Sequence, residues 1–196
     1  MSKPKLIVFV SGSGSNLQAL IDAIDQGDLD AQIIAVVSNK AKAYGLERAR
    51  AVGIPTVYFP YKPYREAGRE AYDVALLDAL LEFDPDLIVL AGWMRIFSTT
   101  FLNQFPNQII NLHPALPGTY IGAHGLEWTM EAYQKGEIEH GGAMVHYAIP
   151  AVDEGEPIAT VKVPIYADDS LEDYAQRLHA AEHTLIVQAT KIALGQ

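Results

Sequence analysis

Between residues 6 and 112 the chain alternates short apolar runs with longer stretches of helical periodicity, and few folds accommodate that pattern. Leu6 to Val10 contains no polar residue to turn toward water, the mark of a strand buried on both faces. Ile33 to Val37, Leu87 to Ala91 and Ile109 to Leu112 read as further strands, with a shorter one from Thr56 to Phe59. Leu17, Leu20, Ile21 and Ile24 recur at i, i+3, i+4 and i+7, one face of a helix that Gly27 stops. A second helical pattern runs through Leu46, Ala49 and Val52 to a stop at Gly53 and Pro55. A third carries Tyr72, Ala75, Leu76, Ala79, Leu80 and Phe83 and closes at Asp84 and Pro85, and a short helix is expected from about Thr99 to Phe105. Strand and helix repeated at this pace predict a parallel sheet with right-handed crossovers, a doubly wound, Rossmann-like α/β domain.

The second half departs from that rhythm. Residues 113–125 are rich in Pro, Gly and His and fit no element. A helix is expected from about Leu126 to Lys135, then strands over Met144 to Ala148 and Ile158 to Val163, joined by the loop Ile149 to Pro157 and forming an antiparallel segment of the sheet. Ser170 and Asp173 have capping-box spacing and open a helix expected to reach about Leu194. No linker, repeat or low-complexity stretch divides residues 1–196, so one domain is expected, and the start at Met1 suits an independent chain.

Composition narrows the function classes. With 196 residues, 49% of them hydrophobic, the chain can bury a core without staples, and the absence of cysteine removes disulfides, thiolate metal sites and thiol nucleophiles. The 14 basic and 24 acidic residues give a net charge of −10, which opposes a polynucleotide partner. The apolar stretch at the amino terminus is too short for a signal-peptide core or a membrane span, and a cytoplasmic location with no membrane partner is expected.

Ser11-Gly-Ser-Gly-Ser-Asn16 lies between the first strand and the first helix. The unpaired N–H groups and dipole of a helix start favour an anion, and glycines let it approach closely. The same stretch also reads as a plain strand-to-helix turn with Ser15 or Asn16 as N-cap. A dinucleotide fits poorly: position 17 is Leu where a third glycine is needed, and Ser38, Asn39 and Lys40 stand where an acidic ribose partner would be. A lone phosphate fits better.

Asn111 and His113 leave the carboxyl end of a buried strand, where open α/β sheets place ligands, and alternation puts both side chains on one face. An amide to donate to a developing oxyanion and an imidazole to move protons suit acyl transfer, although a satisfied core histidine beside an Asn turn gives the same pattern. Asp153, in Ala151-Val-Asp-Glu-Gly155, could raise the basicity of an imidazole and orient it, or could be an ordinary turn Asp before Gly. There is no Gly-x-Ser-x-Gly elbow and no Cys, which favours direct attack by the substrate's own nucleophile. His179, Glu182 and His183 match H-x-x-E-H, but no Asp, Glu or His follows to complete a zinc site, so no metal is expected. Glu182 shares a helical face with Leu178 and Leu185, and a buried carboxylate needs partners such as ligand hydroxyls. Trp93 to Phe97, four large apolar groups around Arg95, either line a pocket for a flat ring with an anionic tail or pack at a helix entry.

Taken in order, Gly12 to Gln18, Ser38 to Lys40, Gly45 to Ala49, Ala91 to Arg95, Asn111 to Ala115, Glu139 to Gly142, Val145-His146 and Val152 to Gly155 resemble the phosphoribosylglycinamide formyltransferase family across the whole chain. The resemblance implies transfer of a formyl group from 10-formyltetrahydrofolate, the co-substrate, to the amine of glycinamide ribonucleotide in de novo purine biosynthesis. It implies a phosphate-binding half over about 1–110 and a folate-binding and catalytic half over about 111–196. Gly14, Ser15 and Asn16 would hold the substrate phosphate and Glu182 its ribose hydroxyls. Asn111, His113 and Asp153 would be the catalytic trio, with His113 the proton donor and Asp153 favouring its protonated form. Arg69, Met94, Arg95, Ile96, Phe97, Asn111 and the loop Ile149, Pro150, Ala151, Val152 and Asp153 would contact folate. The family pattern often has Ser-Leu-Leu-Pro after the His-Pro pair, where this chain has Ala115-Leu-Pro-Gly118. Methionyl-tRNA formyltransferase would need a longer chain and less negative charge. Formyltetrahydrofolate hydrolase and a non-catalytic folate- or nucleotide-binding module are the remaining alternatives.

Overall fold

The computed structural model describes residues 2–122 and 124–196; Met1 and Ala123 lie outside it. The apolar runs form β1 (Lys5–Val10), β2 (Gln32–Ser38), β3 (Thr56–Tyr58), β4 (Leu87–Leu90) and β5 (Ile109–His113), all paired in parallel. β6 (His140–Tyr147) and β7 (Pro157–Pro164) then add antiparallel, giving one seven-stranded sheet in the order β3-β2-β1-β4-β5-β6-β7. The helices are α1 (Ser15–Asp25), α2 (Tyr44–Ala51), α3 (Gly68–Leu80), α4 (Thr99–Gln104), α5 (Gly125–Gln134) and α6 (Leu171–Ala193), with one 3-10 turn over Lys62–Tyr64. Among the described residues no helix is long and apolar enough to cross a membrane.

The uninterrupted run in β1 follows from its position. Leu6, Val8 and Val10 enter a core shared with α1 and α6, while Ile7 and Phe9 enter a second core shared with α3 and α4. Both faces of the central strand are covered, so no position turns to water. After β1 the chain winds outward to β2 and β3, then returns to place β4 on the other side of β1. The crevice above the carboxyl ends of β1 and β4 is the topological switch point.

The structure revises several expected boundaries. α2 ends at Ala51, so Val52 is its exposed C-cap rather than a core position. α3 begins four residues before Tyr72, and Ala79 faces solvent. Asp73 is fully buried on α3, where it accepts the Ser98 N–H at the start of α4; burial raises its pKa despite that bond. Neither Ser15 nor Asn16 caps α1: Gly14 holds the N-cap in a left-handed conformation, with no side-chain cap. The capping box of Ser170 and Asp173 on α6 is present as expected.

β6 starts at His140, four residues before the apolar pattern suggests, because its first turn is packed rather than greasy. The Tyr174 hydroxyl lies over Gly141 and accepts the Gly142 N–H at 3.1 Å. A Cβ at Gly141 would meet that hydroxyl at 1.9 Å and Thr129 Cγ2 at 2.6 Å. Gly141→Ala is therefore expected to cost about 2–3 kcal/mol, since overpacking of a buried contact typically costs 1–3 kcal/mol. Urea unfolding checks it, read as a lower midpoint at unchanged slope.

Candidate active site

A cleft of about 630 Å3 opens at the switch point, lined from the loops after β1, β4 and β5, from the β6–β7 loop and from α6. Ser11 joins two of these loops. Its N–H donates to Gly92 O, while its hydroxyl donates to Asn39 Oδ1 and accepts the Met94 N–H.

One end of the cleft is formed by Ser11 to Asn16. α1 has neither a side-chain cap nor an acidic residue in its first turn, so its leading N–H groups and dipole face an anion with nothing competing. Gly14 is required twice there. Its φ of 69° suits glycine, and a Cβ would stand 2.5 Å from Gly45 Cα on α2. Arg48 braces the loop from behind, donating from Nε to Ser13 O at 2.9 Å. Asn16 is buried and donates from Nδ2 to Glu182 Oε2 at 3.2 Å, leaving its own Oδ1 without a partner. Glu182 is 5% exposed, and burial lifts its pKa against the opposing pull of Asn16 and His179. The two residues together present hydrogen-bond acceptors, which suit hydroxyl donors. The H-x-x-E-H match assembles nothing further, for among the described residues no three His, Cys, Asp or Glu come together as a metal site.

The sequence-predicted trio meets at the middle of the cleft. Asn111 and His113 do share a face of β5, and the β6–β7 loop brings Asp153 onto both. Asp153 Oδ1 accepts from Asn111 Nδ2 at 3.3 Å, and Oδ2 accepts the Gly122 N–H at 2.9 Å while facing His113 Nδ1 at 3.4 Å. Asp153 itself has a φ of 56°, a left-handed conformation uncommon outside glycine but one that Asp and Asn tolerate best. The glycine two residues on serves close approach rather than a turn, since a Cβ at Gly155 would fall 1.7 Å from Tyr147 O.

Two opposing influences act on His113. His113 is 3% exposed, and burial holds its pKa below the ordinary imidazole value even though Asp153 and the Tyr120 carbonyl pull it upward. Asp153 thus favours the protonated ring, as expected, but burial outweighs that pull. Burial presses the Asp153 pKa up, but the nearby His146 side chain, the bond from Gly122 and the facing His113 together outweigh it and lower the pKa below the ordinary carboxylate value. With Nε2 3.0 Å from Tyr120 O and Nδ1 facing Asp153, the ring meets an acceptor at each nitrogen. The expected free amide donor is also revised: Asn111 Nδ2 lies against both Asp153 and His146 Nε2, the latter at 3.1 Å.

The rest of the predicted set divides. Met94, Arg95, Ile96, Phe97, Ile149 and Val152 line the cleft with Asp153. Met94 and Ile96 are exposed there, whereas Phe97 stacks on Phe101 at 3.9 Å and packs edge-on to Phe9, so it supports the wall from the core. Arg95 is no surface residue. Its guanidinium lies 3.4 Å over the Tyr61 ring, and its Nε is buried without a partner. Pro150 and Ala151 sit exposed at the loop tip outside the lining, as does Arg69 near the start of α3. Trp93, expected as a candidate pocket wall, lines the cleft, and His146, His179 and Lys40 line it as well. His146 pairs with Asn111 across the sheet, a placement that only the strand register shows.

An uncapped helix start and a buried His–Asp–Asn centre sharing an apolar-walled cleft suit an α/β enzyme of the group-transfer class. The sequence pattern of the formyl transferase family matches residues 4–190. A phosphoribosylglycinamide formyltransferase of Schizosaccharomyces pombe is 49% identical over 94% of this chain and 94% of its own length. One from Escherichia coli is 40% identical over 92% of this chain and 82% of its own. The crystal structure of glycinamide ribonucleotide transformylase 1 from Symbiobacterium toebii superposes with a TM-score of 0.90 at 35% identity, covering 99% of this chain and 89% of that one. The chain belongs to the formyl transferase family.

Proposed function

We propose that the chain transfers the formyl group of 10-formyltetrahydrofolate to the primary amine of glycinamide ribonucleotide, a step of purine biosynthesis. The observation that carries this reading is the position of His113, Asp153 and Asn111 between the anion-binding start of α1 and the apolar wall of Met94, Ile96, Ile149 and Val152.

Gly14, Ser15 and Asn16 hold the phosphate through the first-turn N–H groups of α1, while Glu182 and Asn16 Oδ1 accept from the ribose hydroxyls. Met94 to Phe97 and the loop from Ile149 to Asp153 flank the pterin. Pro150 and Ala151 contribute backbone, and Arg95 and Arg69 attract the anionic tail. The residues present fit a flat apolar ring here, because the cleft also offers unpartnered donors at Trp93 Nε1 and Arg95 Nε.

The amine nitrogen attacks the formyl carbon, the new C–N bond forms, and the carbonyl electrons move to oxygen. Neutral His113 takes the proton released by the nitrogen that has become cationic. The resulting imidazolium, steadied by Asp153, faces the oxyanion and then delivers that proton to the departing folate nitrogen as its bond to carbon breaks. Protons and charge balance without metal or covalent enzyme intermediate. One domain over residues 1–196 suffices, its two halves meeting at the cleft.

The test follows folate absorbance with both substrates and with each omitted. Turnover that requires both is expected. Loss of formyl without the amine would instead mark a hydrolase, and binding of either ligand without turnover would mark a binding module.

A further inference from the structure

We infer that His146 is a positioning residue: fixed as the Nδ1–H tautomer, it orients the Asn111 amide so that Asn111 turns its carbonyl oxygen, not its N–H groups, to the incoming amine. His146 is 2% exposed on β6, directly across the sheet from Asn111. Its Nδ1 lies 2.9 Å from Tyr147 O, which can only accept, so Nδ1 carries the hydrogen. Nε2 is then a bare lone pair, and the atom it meets at 3.1 Å is Asn111 Nδ2. The same nitrogen donates to Asp153 Oδ1 at 3.3 Å, so both amide hydrogens are used. His146 and Asp153 stand 3.6 Å apart, beyond hydrogen-bond length, and the Asn111 amide bridges them.

The opposite orientation fails on charge. With the amide reversed, Asn111 Oδ1 would face an ionised carboxylate oxygen, and a hydrogen on His146 Nε2 would be the only compensation. That hydrogen would have to come with the Nδ1 hydrogen still in place, which puts a buried imidazolium where a neutral ring satisfies every neighbour. Gly155 reinforces the arrangement. A Cβ there would come within 3.0 Å of His146 Nδ1 and 1.7 Å of Tyr147 O, so the bare backbone is what lets this hydrogen bond and the Asp153 loop coexist.

The only polar atom that Asn111 has left to offer a ligand is Oδ1. An acceptor holds the N–H of an attacking amine, and it favours that nitrogen more as it gains positive charge during bond formation. The task of meeting the oxyanion then falls to His113 in its transient protonated form. This rests on the transferase reading only for the identity of the nucleophile; the tautomer and the amide orientation do not.

Two measurements test it separately. Long-range 1H–15N correlation on the unmodified protein reads the His146 tautomer without any turnover. A ring carrying its hydrogen on Nδ1 is expected, and a hydrogen on Nε2 would overturn the inference. Kinetically, His146→Leu should lower kcat on the order of ten- to a hundredfold, the scale of a misplaced reacting group, with KM for both substrates within about twofold. His146→Gln, whose carbonyl can reach the Nε2 position, should recover most of that loss. In an Asn111→Ala background His146→Leu should cost nothing more. A fully additive loss, or Gln no better than Leu, would sink the idea. If the unmodified protein shows no turnover, the functional reading fails while the tautomer result still stands or falls alone.

Discussion

Replacing His113 by Ala is expected to lower kcat by about 10²- to 10⁴-fold, the usual worth of a positioned proton carrier, while both substrates still bind. The argument rests on where the ring sits. It lies at the end of β5, where the Tyr120 carbonyl and Asp153 face its two nitrogens, and among the described residues it makes no hydrogen bond to the start of α1. Removing it leaves the start of α1 and the apolar wall of the cleft in place, so KM should move little. Because burial lowers the His113 pKa, the neutral, proton-accepting form persists below the ordinary imidazole range. The acid limb of kcat/KM in the unmodified enzyme should accordingly fall at a pH below that range and vanish in His113→Ala. Added imidazole restoring part of the rate would confirm the assignment; near-normal kcat would refute it.

Asp153→Asn should have a comparable effect, on the order of 10³-fold in kcat, for a different reason. Each carboxylate oxygen accepts a hydrogen: Oδ1 from Asn111 and Oδ2 from the Gly122 N–H. An amide at 153 must place its NH2 against one of those donors whichever way it turns, and it removes the charge that steadies the imidazolium. The backbone is not the issue, since Asn tolerates the left-handed conformation of residue 153 as well as Asp does. Loss of the negative charge also removes an upward pull on His113, so the residual acid limb should shift to still lower pH. A limb moving upward, or a rate within tenfold of the parent, would contradict the role given to Asp153. For stability the signs are equally defined. The Asp153 pKa is depressed in the fold, so its contribution is present above the ordinary carboxylate value and lost as pH falls through the folded one.

Much of this was legible in the sequence because local physics and tertiary outcome coincide. A run such as Leu6 to Val10 has no other home than a strand covered on both faces, and Asn111 with His113 must share a side of any extended segment. Asp153 could be nominated but not placed, for its approach depends on a loop closing across β6 from forty residues away. Arg95 was legible as an anomaly, yet its stacking on Tyr61 draws on a segment that carries no periodic pattern. His146 stayed silent for the opposite reason. Inside a buried strand a histidine has no amphipathic signal, and only the cross-strand register shows what it faces. The state of His113 also lay out of reach, since burial and attraction oppose each other and only the packing decides which prevails.

The contact of Gly14 with Gly45 limits how the phosphate end can be redesigned. Two backbones touch there with no side chain on either, so neither position can shrink to accommodate growth at the other. A replacement at Gly14 has no second-site suppressor at Gly45, whereas a Cβ at Gly45 would first meet Val10 Cγ2 at 2.9 Å. Altering this enzyme to accept a different anionic handle must proceed by changing the length of the loop before α1 or the residues beyond Ser15. The most familiar route in directed evolution, a bulky substitution relieved by a small one across the interface, is closed to Gly14 and open to Gly45 only through Val10.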